Sequence, residues 1–217
     1  MPSRLVSVRA AACSGPRLAL LTALIPILVA GCSATKPPHR IDDACAIFRE
    51  KKDWYSDALE ARKRWGISIP IQLAFIRQES SFDGDARPPR HMILGFIPGS
   101  RPSNAHGYAQ ALESTWDEYR KAVGARGADR DEFADAVDFI GWYNARTSKM
   151  CGIAKDDAFR LYLAYHEGPV GYRRGTHRNK KWLLGTAERV ATRAARYDLQ
   201  LSRCEQELMP RRRGWFF

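Results

Sequence analysis

From Ile41 to Leu208 the apolar residues recur at intervals of three and four, and almost nowhere do they alternate. That period belongs to helices with one buried face, not to strands. Ile41–Trp65 carries Ile47, Trp54, Ala58, Ala61 and Trp65 on such a stripe, and Gly66 supplies a stop. Ser68 and Pro70 then open a second helix, whose face holds Ile71, Ala74, Phe75 and Gln78 and whose last turn holds Glu79. A further helix covers "ESTWDEYRKAVG", where Ser114 and Asp117 have the spacing of a capping box. Asp131–Arg146 presents Phe133, Val137, Ile140, Gly141 and Asn144. Asp156–Glu167 presents Phe159, Tyr162, Leu163 and His166, and Gly168-Pro169 should end it. A basic loop, "YRRGTHRNKK", leads to a last helix over about Trp182–Leu208. The expectation is a mostly α domain of six or seven helices.

One stretch breaks the period. Asp83–His106 contains Gly84, Pro88, Pro89, Pro98, Gly99 and Pro102 around an apolar middle, "MILGFIP". A loop of that length within a small domain is commonly functional. A short strand near Met92–Ile97 is the sole β expectation.

The first 31 residues have a different character. Arg4, Arg9 and Arg17 are unaccompanied by acid, and Leu18–Ala30 runs thirteen residues without charge. A membrane span needs about 20 such residues. Basic flank, short apolar core and small residues describe a secretory leader. It ends in "LVAGC", Leu28–Cys32, which resembles the bacterial lipobox, whose Cys is lipidated and becomes the new N-terminus. An ordinary leader that happens to contain a Cys is the alternative. Ser33 at the next position, by resemblance to sorted lipoproteins, favours the outer membrane. The expected organisation is therefore a leader over 1–31, a polar, Pro-rich tether over 32–40, a helical domain over 41–208, and a basic, aromatic tail over 209–217.

Export makes disulfides permissible. Of five cysteines, Cys13 departs with the leader and Cys32 takes the lipid. Cys45 lies near the domain's start and Cys204 near its end, and terminal helices often meet. Their pairing leaves Cys151 as a free thiol, and the loop so closed restricts the unfolded chain by about 4–5 kcal/mol in the entropy model. The alternative is three reduced core cysteines. The formal net charge of +11 suits an anionic wall polymer or membrane surface rather than nucleic acid outside the cytoplasm. Arg211–Arg213 before "GWFF" is either a lipid contact or a frayed tail.

Three stretches carry chemistry in this order: "IRQESSF" around Glu79, "HGYAQALESTW" over His106–Trp116, and "LAYHEGPVGY" over Leu163–Tyr172. Together they resemble the lytic transglycosylases of the soluble-transglycosylase type, which have a lysozyme-like fold. That family carries a Glu-Ser pair at a helix end, a Gly-Leu-Met-Gln segment and an Ala-Tyr-Asn-Ala-Gly segment. Glu79 and Ser80 match the first; Gly107 and Gln110 match the ends of the second; Ala164, Tyr165 and Gly168 match the third. Tyr108-Ala109 replaces Leu-Met, His166 replaces Asn, Glu167 replaces a small residue, and the 83–106 insert lengthens the gap.

The resemblance implies Glu79 as the catalytic acid and then base. It implies glycan contacts from Ser80, Tyr108, Gln110, Tyr143, Tyr165 and His166, with Tyr165 also holding the Glu79 carboxyl. The implied substrate is peptidoglycan and the product a 1,6-anhydro sugar, formed by a monomer without metal or cofactor at the periplasmic face of the outer membrane. Independently of the resemblance, a Glu is ionised at neutral pH unless its pKa is raised. Phe75, Ile76 and Phe82 around Glu79, and its place at a helix C-terminus, both push that way. The Cys and His residues show no ligand spacing. Trp116, Trp142 and Trp182 read as core. A goose-type muramidase, with Glu167 or Asp83 holding a water, and a non-catalytic wall-binding lipoprotein are the competing readings.

Overall fold

The apolar stripes of the sequence become seven helices around one core in a computed structural model that describes residues 36–93 and 97–209. The leader, Cys32 and the 210–217 part of the tail lie outside the described residues.

The first predicted helix is two: α1 (Ala44–Glu50) and α2 (Trp54–Trp65). Asp43 caps α1 by accepting from the Ala46 amide at 3.0 Å. The break turns Trp54 inward, where its ring stacks on Phe133 at 3.9 Å. Gly66 closes α2 in the left-handed conformation, as its position in the sequence predicts. Helix α3 (Ile69–Glu79) is buried all round over Ile69–Ile76, the signature of a central helix. Its one buried polar side chain there, Gln72, donates to the carbonyls of Ile67 at 2.9 Å and Ala58 at 3.2 Å.

After α3 the insert forms only a minimal hairpin, β1 (Met92–Ile93) and β2 (Ile97–Pro98), antiparallel with Met92 opposite Pro98. Helix α4 (Glu113–Val123) begins one residue before the Ser114 expected to cap it. Leu112 is the N-cap, and the Glu113 amide is met instead by the Asn104 side chain at 3.3 Å. Helix α5 (Phe133–Cys151) packs on α2 so closely that a Cβ on Gly141 would stand 2.5 Å from the Trp65 ring.

Helix α6 (Ala158–Arg174) departs from expectation. Gly168 adopts φ 70 and ψ 158, a non-helical kink, but Pro169 starts a new helical segment rather than a loop. Helix α7 (Lys181–Leu208) crosses α3, α6 and α1. A disulfide joins its Cys204 to Cys45 of α1 across 159 residues of sequence, and Cys151 is a free thiol. None of the described helices is long and apolar enough to cross a membrane.

Candidate active site

Glu79 is the last residue of α3, and the chain reverses sharply beyond it. Ser81 and Phe82 both take positive φ, 55 and 64. Two consecutive residues with side chains are rarely found there. What holds them is Phe82, fully buried and stacked on Trp54 at 6.0 Å. The sharp exit leaves Glu79 lining a cleft of about 450 Å³.

Beside Glu79 of α3, the cleft is walled by parts of three further helices and one loop. The loop before α4 brings Gln110, Ala111 and Leu112, with Thr115 on α4; α5 brings Phe139 and Tyr143; α6 brings Tyr165, His166, Glu167 and Gly168 at its kink. The loop's shape is forced at Gly107. Its φ is 79, and a Cβ there would sit 1.9 Å from the Arg130 carbonyl oxygen. Gln110 itself has φ 46. Its Nε2 donates to Ala86 O at 2.8 Å and Gly107 O at 2.9 Å. Both N–H bonds are spent on the loop, so only its carbonyl oxygen remains for a ligand.

Glu79 is held at the edge of ionisation. Desolvation pushes its carboxyl up to about 7, against a hydrogen bond from the Tyr162 hydroxyl that favours the charged form. That bond is 2.9 Å long. This corrects the expected role of Tyr165, whose hydroxyl donates instead to the Ala109 carbonyl at 2.6 Å. Tyr165 thus ties α6 to the Gln110 loop, while its ring meets Tyr143 at 5.1 Å inside the cleft. Phe75 of α3 places an edge-on ring against both tyrosines, at 5.3 Å to Tyr162 and 5.2 Å to Tyr165. Spacing alone puts Tyr162 on the apolar stripe of its helix, which hides its role. Its offset of three from Tyr165 places both on one helix face and was the available signal.

Glu167 lines the same cleft in the opposite state. Burial alone would raise its carboxyl, yet hydrogen bonds from Lys180, Thr176 and His166 outweigh that and hold it down at about 2. Lys180 reaches both oxygens, at 2.7 and 3.0 Å. The His166 ring sits 3.1 Å from Glu167 Oε1 and packs edge-on against Trp182 at 5.0 Å.

The remaining sequence expectations separate. Tyr143, Tyr165, His166 and Gln110 line the cleft with Glu79, whereas Ser80 and Tyr108 do not. Ser80 is buried, its hydroxyl turned back to Ile76 O at 3.2 Å. Tyr108 is 1 % exposed and packs edge-on against Trp54 and Phe133, so it belongs to the core. Trp116 and Trp142 are core as expected, but Trp182 is 59 % exposed. Asp83 accepts from the Asp85 amide at 3.0 Å and stands outside the cleft. The fold also gathers Asp85, His106 and Asp131, with ligand atoms within 4.8 Å of one another, a grouping no sequence spacing announces. Arg87 and Arg130 lie close enough to oppose charge on His106, and they would oppose a cation there too.

A cleft with one carboxylic acid raised toward neutrality at a helix end, framed by tyrosines, can deliver a proton to a bound ligand. No curated protein and no solved structure matches the chain. A family model described as the transglycosylase SLT domain matches residues 20–204, and the chain belongs to this family of peptidoglycan lytic transglycosylases.

Proposed function

We propose that the protein cleaves the β-1,4 bond between N-acetylmuramic acid and N-acetylglucosamine, with Glu79 as the only catalytic carboxyl. The observation that carries this reading is the company of the two cleft carboxyls: Glu79, raised to about 7, is reached by the Tyr162 hydroxyl, whereas Lys180 holds both oxygens of Glu167, lowered to about 2. At neutral pH much of the Glu79 population is protonated, and it gives its proton to the leaving oxygen as the bond to C1 breaks. The substrate's acetamido oxygen stabilises C1. Glu79, now ionised, takes the proton of the muramyl C6 hydroxyl, whose oxygen closes onto C1. Atoms balance without water, and the product is a 1,6-anhydromuramic end. Tyr162 steadies the transient carboxylate through its hydroxyl, and the Tyr143 and Tyr165 rings offer apolar faces to the sugar.

Hydrolysis on the same fold would need a base to activate water. Glu167 suits that poorly. Both its oxygens are engaged, and a carboxylate with a pKa near 2 is a weak base. Mass spectrometry of digested wall sacculi decides between the two: anhydro ends are expected, and reducing muramic ends would sink the lyase reading.

We further infer lipidation at Cys32 and anchoring in the outer membrane with the domain in the periplasm. "LVAGC" behind a thirteen-residue apolar stretch supports this. The measurement is the mass of the N-terminal peptide from the mature protein: an unmodified Cys32, or a chain still starting at Met1, would overturn it.

A further inference from the structure

A second concavity, of about 350 Å³, lies between α3, α7 and the start of the described chain, and shares no residue with the cleft. Arg77 of α3 and Arg189, Arg193 and Arg196 of α7 line it, with Asp42 and Glu188 as its acids. The three α7 arginines fall at i, i+4 and i+7, so they share one helix face and repel one another.

The acids do not neutralise them. Arg77 takes the Asp42 carboxylate through Nε at 3.0 Å and Nη2 at 3.4 Å, and turns its third nitrogen to Ser81. Arg193, its side chain only 19 % exposed, reaches that same carboxylate at 4.0 Å and otherwise has a 3.5 Å contact with Gln78. Burial, then the nearby Arg77, holds its guanidinium below the ordinary range. Arg189 donates to the Thr186 hydroxyl at 2.8 Å, and Arg196 is exposed and acts on Asp42 through charge alone. Among the described residues Glu188 makes no ion pair with any of the four. Clustered guanidiniums with unfilled donors match the oxygens of a phosphate.

The shortness of the tether points to the source of that phosphate. The pocket's wall residue Asp42 is pinned to α7: Gln200 donates to the Asp42 carbonyl at 3.1 Å and accepts from Ala44 at 2.8 Å, and Tyr197 donates to Ile41. The chain before Asp42 turns back to α1, where the His39 amide donates to Glu50 at 3.0 Å, so the tether to Cys32 starts three residues from the pocket wall. Cys32 and Asp42 are ten residue steps apart, which reach at most about 35 Å when extended.

We propose that this arginine pocket binds the phosphate of an anionic lipid headgroup. The choice of lipid as source rests on the Cys32 anchor inferred above.

The test is co-sedimentation of the purified full chain with vesicles of phosphatidylcholine alone or mixed equally with phosphatidylglycerol. Wild type is compared with Arg193→Gln/Arg196→Gln and with Arg120→Gln/Arg160→Gln, which removes the same charge elsewhere; circular dichroism verifies that each is folded. The pocket variant should lose about ten- to thirty-fold in affinity for the anionic vesicles, the control variant no more than about three-fold, and neither should change on neutral vesicles. Equal losses in the two variants would reduce the effect to net charge and overturn the proposal. So would inorganic phosphate bound by the pocket and displacing the vesicles at submillimolar concentration, which would make free phosphate the ligand. Binding of soluble muropeptides that only the pocket variant loses would assign the pocket to the wall's peptide carboxylates instead. The vesicle result does not depend on acylation, so an unmodified Cys32 beside a positive vesicle result would remove the anchor and leave the pocket standing.

Discussion

Glu79 and Glu167 line one cleft and differ by several pKa units, about 7 against about 2. Burial pushes both upward. What separates them is their company. Glu79 ends a helix buried from Ile69 to Ile76, and a single neutral hydroxyl reaches it. Glu167 sits at the α6 kink, where Gly168 releases the backbone from helical geometry and Lys180 arrives from the far side of a short loop. Among the described residues no cation acts on Glu79, whereas an ammonium meets Glu167. The lesson is that desolvation and charge partner together decide what a cleft carboxylate can do.

The largest test of this contrast is Glu79→Gln. It should lower muropeptide release by about 10²–10⁴-fold, since general acid catalysis is worth that much. Release at the wild-type rate would move the acid elsewhere.

The same substitution has a stability signature of definite sign. The folded pKa of Glu79 lies above its unfolded 4.5, so the folded state holds the proton more tightly between 4.5 and about 7. Wild type should therefore lose stability relative to Glu79→Gln as pH rises through that window, by on the order of 3 kcal/mol. Glu167 has the opposite sign. Its contribution is present above 4.5 and is lost as pH falls toward about 2. Urea titrations at pH 4.5 and 8 check the first statement, and acid unfolding of Glu167→Gln against wild type checks the second. A flat difference across both ranges would break the comparison.

Glu167→Gln should cost less than about ten-fold in turnover, in contrast to Glu79→Gln, because its carboxylate organises Lys180 and His166 and supplies no proton. A collapse matching that of Glu79→Gln would restore the hydrolytic reading. Tyr162→Phe sharpens the other side. Removing a donor that favours the ionised form raises the Glu79 pKa, so the alkaline fall of the pH–rate profile should move to higher pH. An unmoved limb would mean that Tyr162 does not touch the working carboxyl. The smallest effect is expected from Trp182→Ala, which strips the exposed ring from His166: a KM raised by about two- to five-fold at unchanged kcat, as for a uniform ground-state contact.

How much of this was legible beforehand depends on the range of the interaction. Gly66 as a stop, the buried face of α3 and Glu79 at its end are local facts of spacing, and they stand in the fold as read. Ser114 failed as a cap because the Asn104 side chain, nine residues before the Glu113 amide it meets, already serves the start of α4. The resemblance implies a glycan contact at Tyr108, which stands where the family has Leu. It is core because the loop, folded against Arg130, turns that side chain into the Trp54–Phe133 stack. Trp182 reads as core in the sequence, yet the α7 N-terminus presents it outward.

The sequence by itself determined the helical class, the order of the three site segments, and the acid at the end of α3, because periodicity and helix-end chemistry act within a few residues. Only the tertiary structure decided that Tyr162 rather than Tyr165 meets Glu79, that Lys180 claims Glu167, and that four arginines converge beside Asp42. Those outcomes turn on which faces of distant helices pack together. A side chain's pKa follows from its neighbours in space, and no spacing along the chain encodes them.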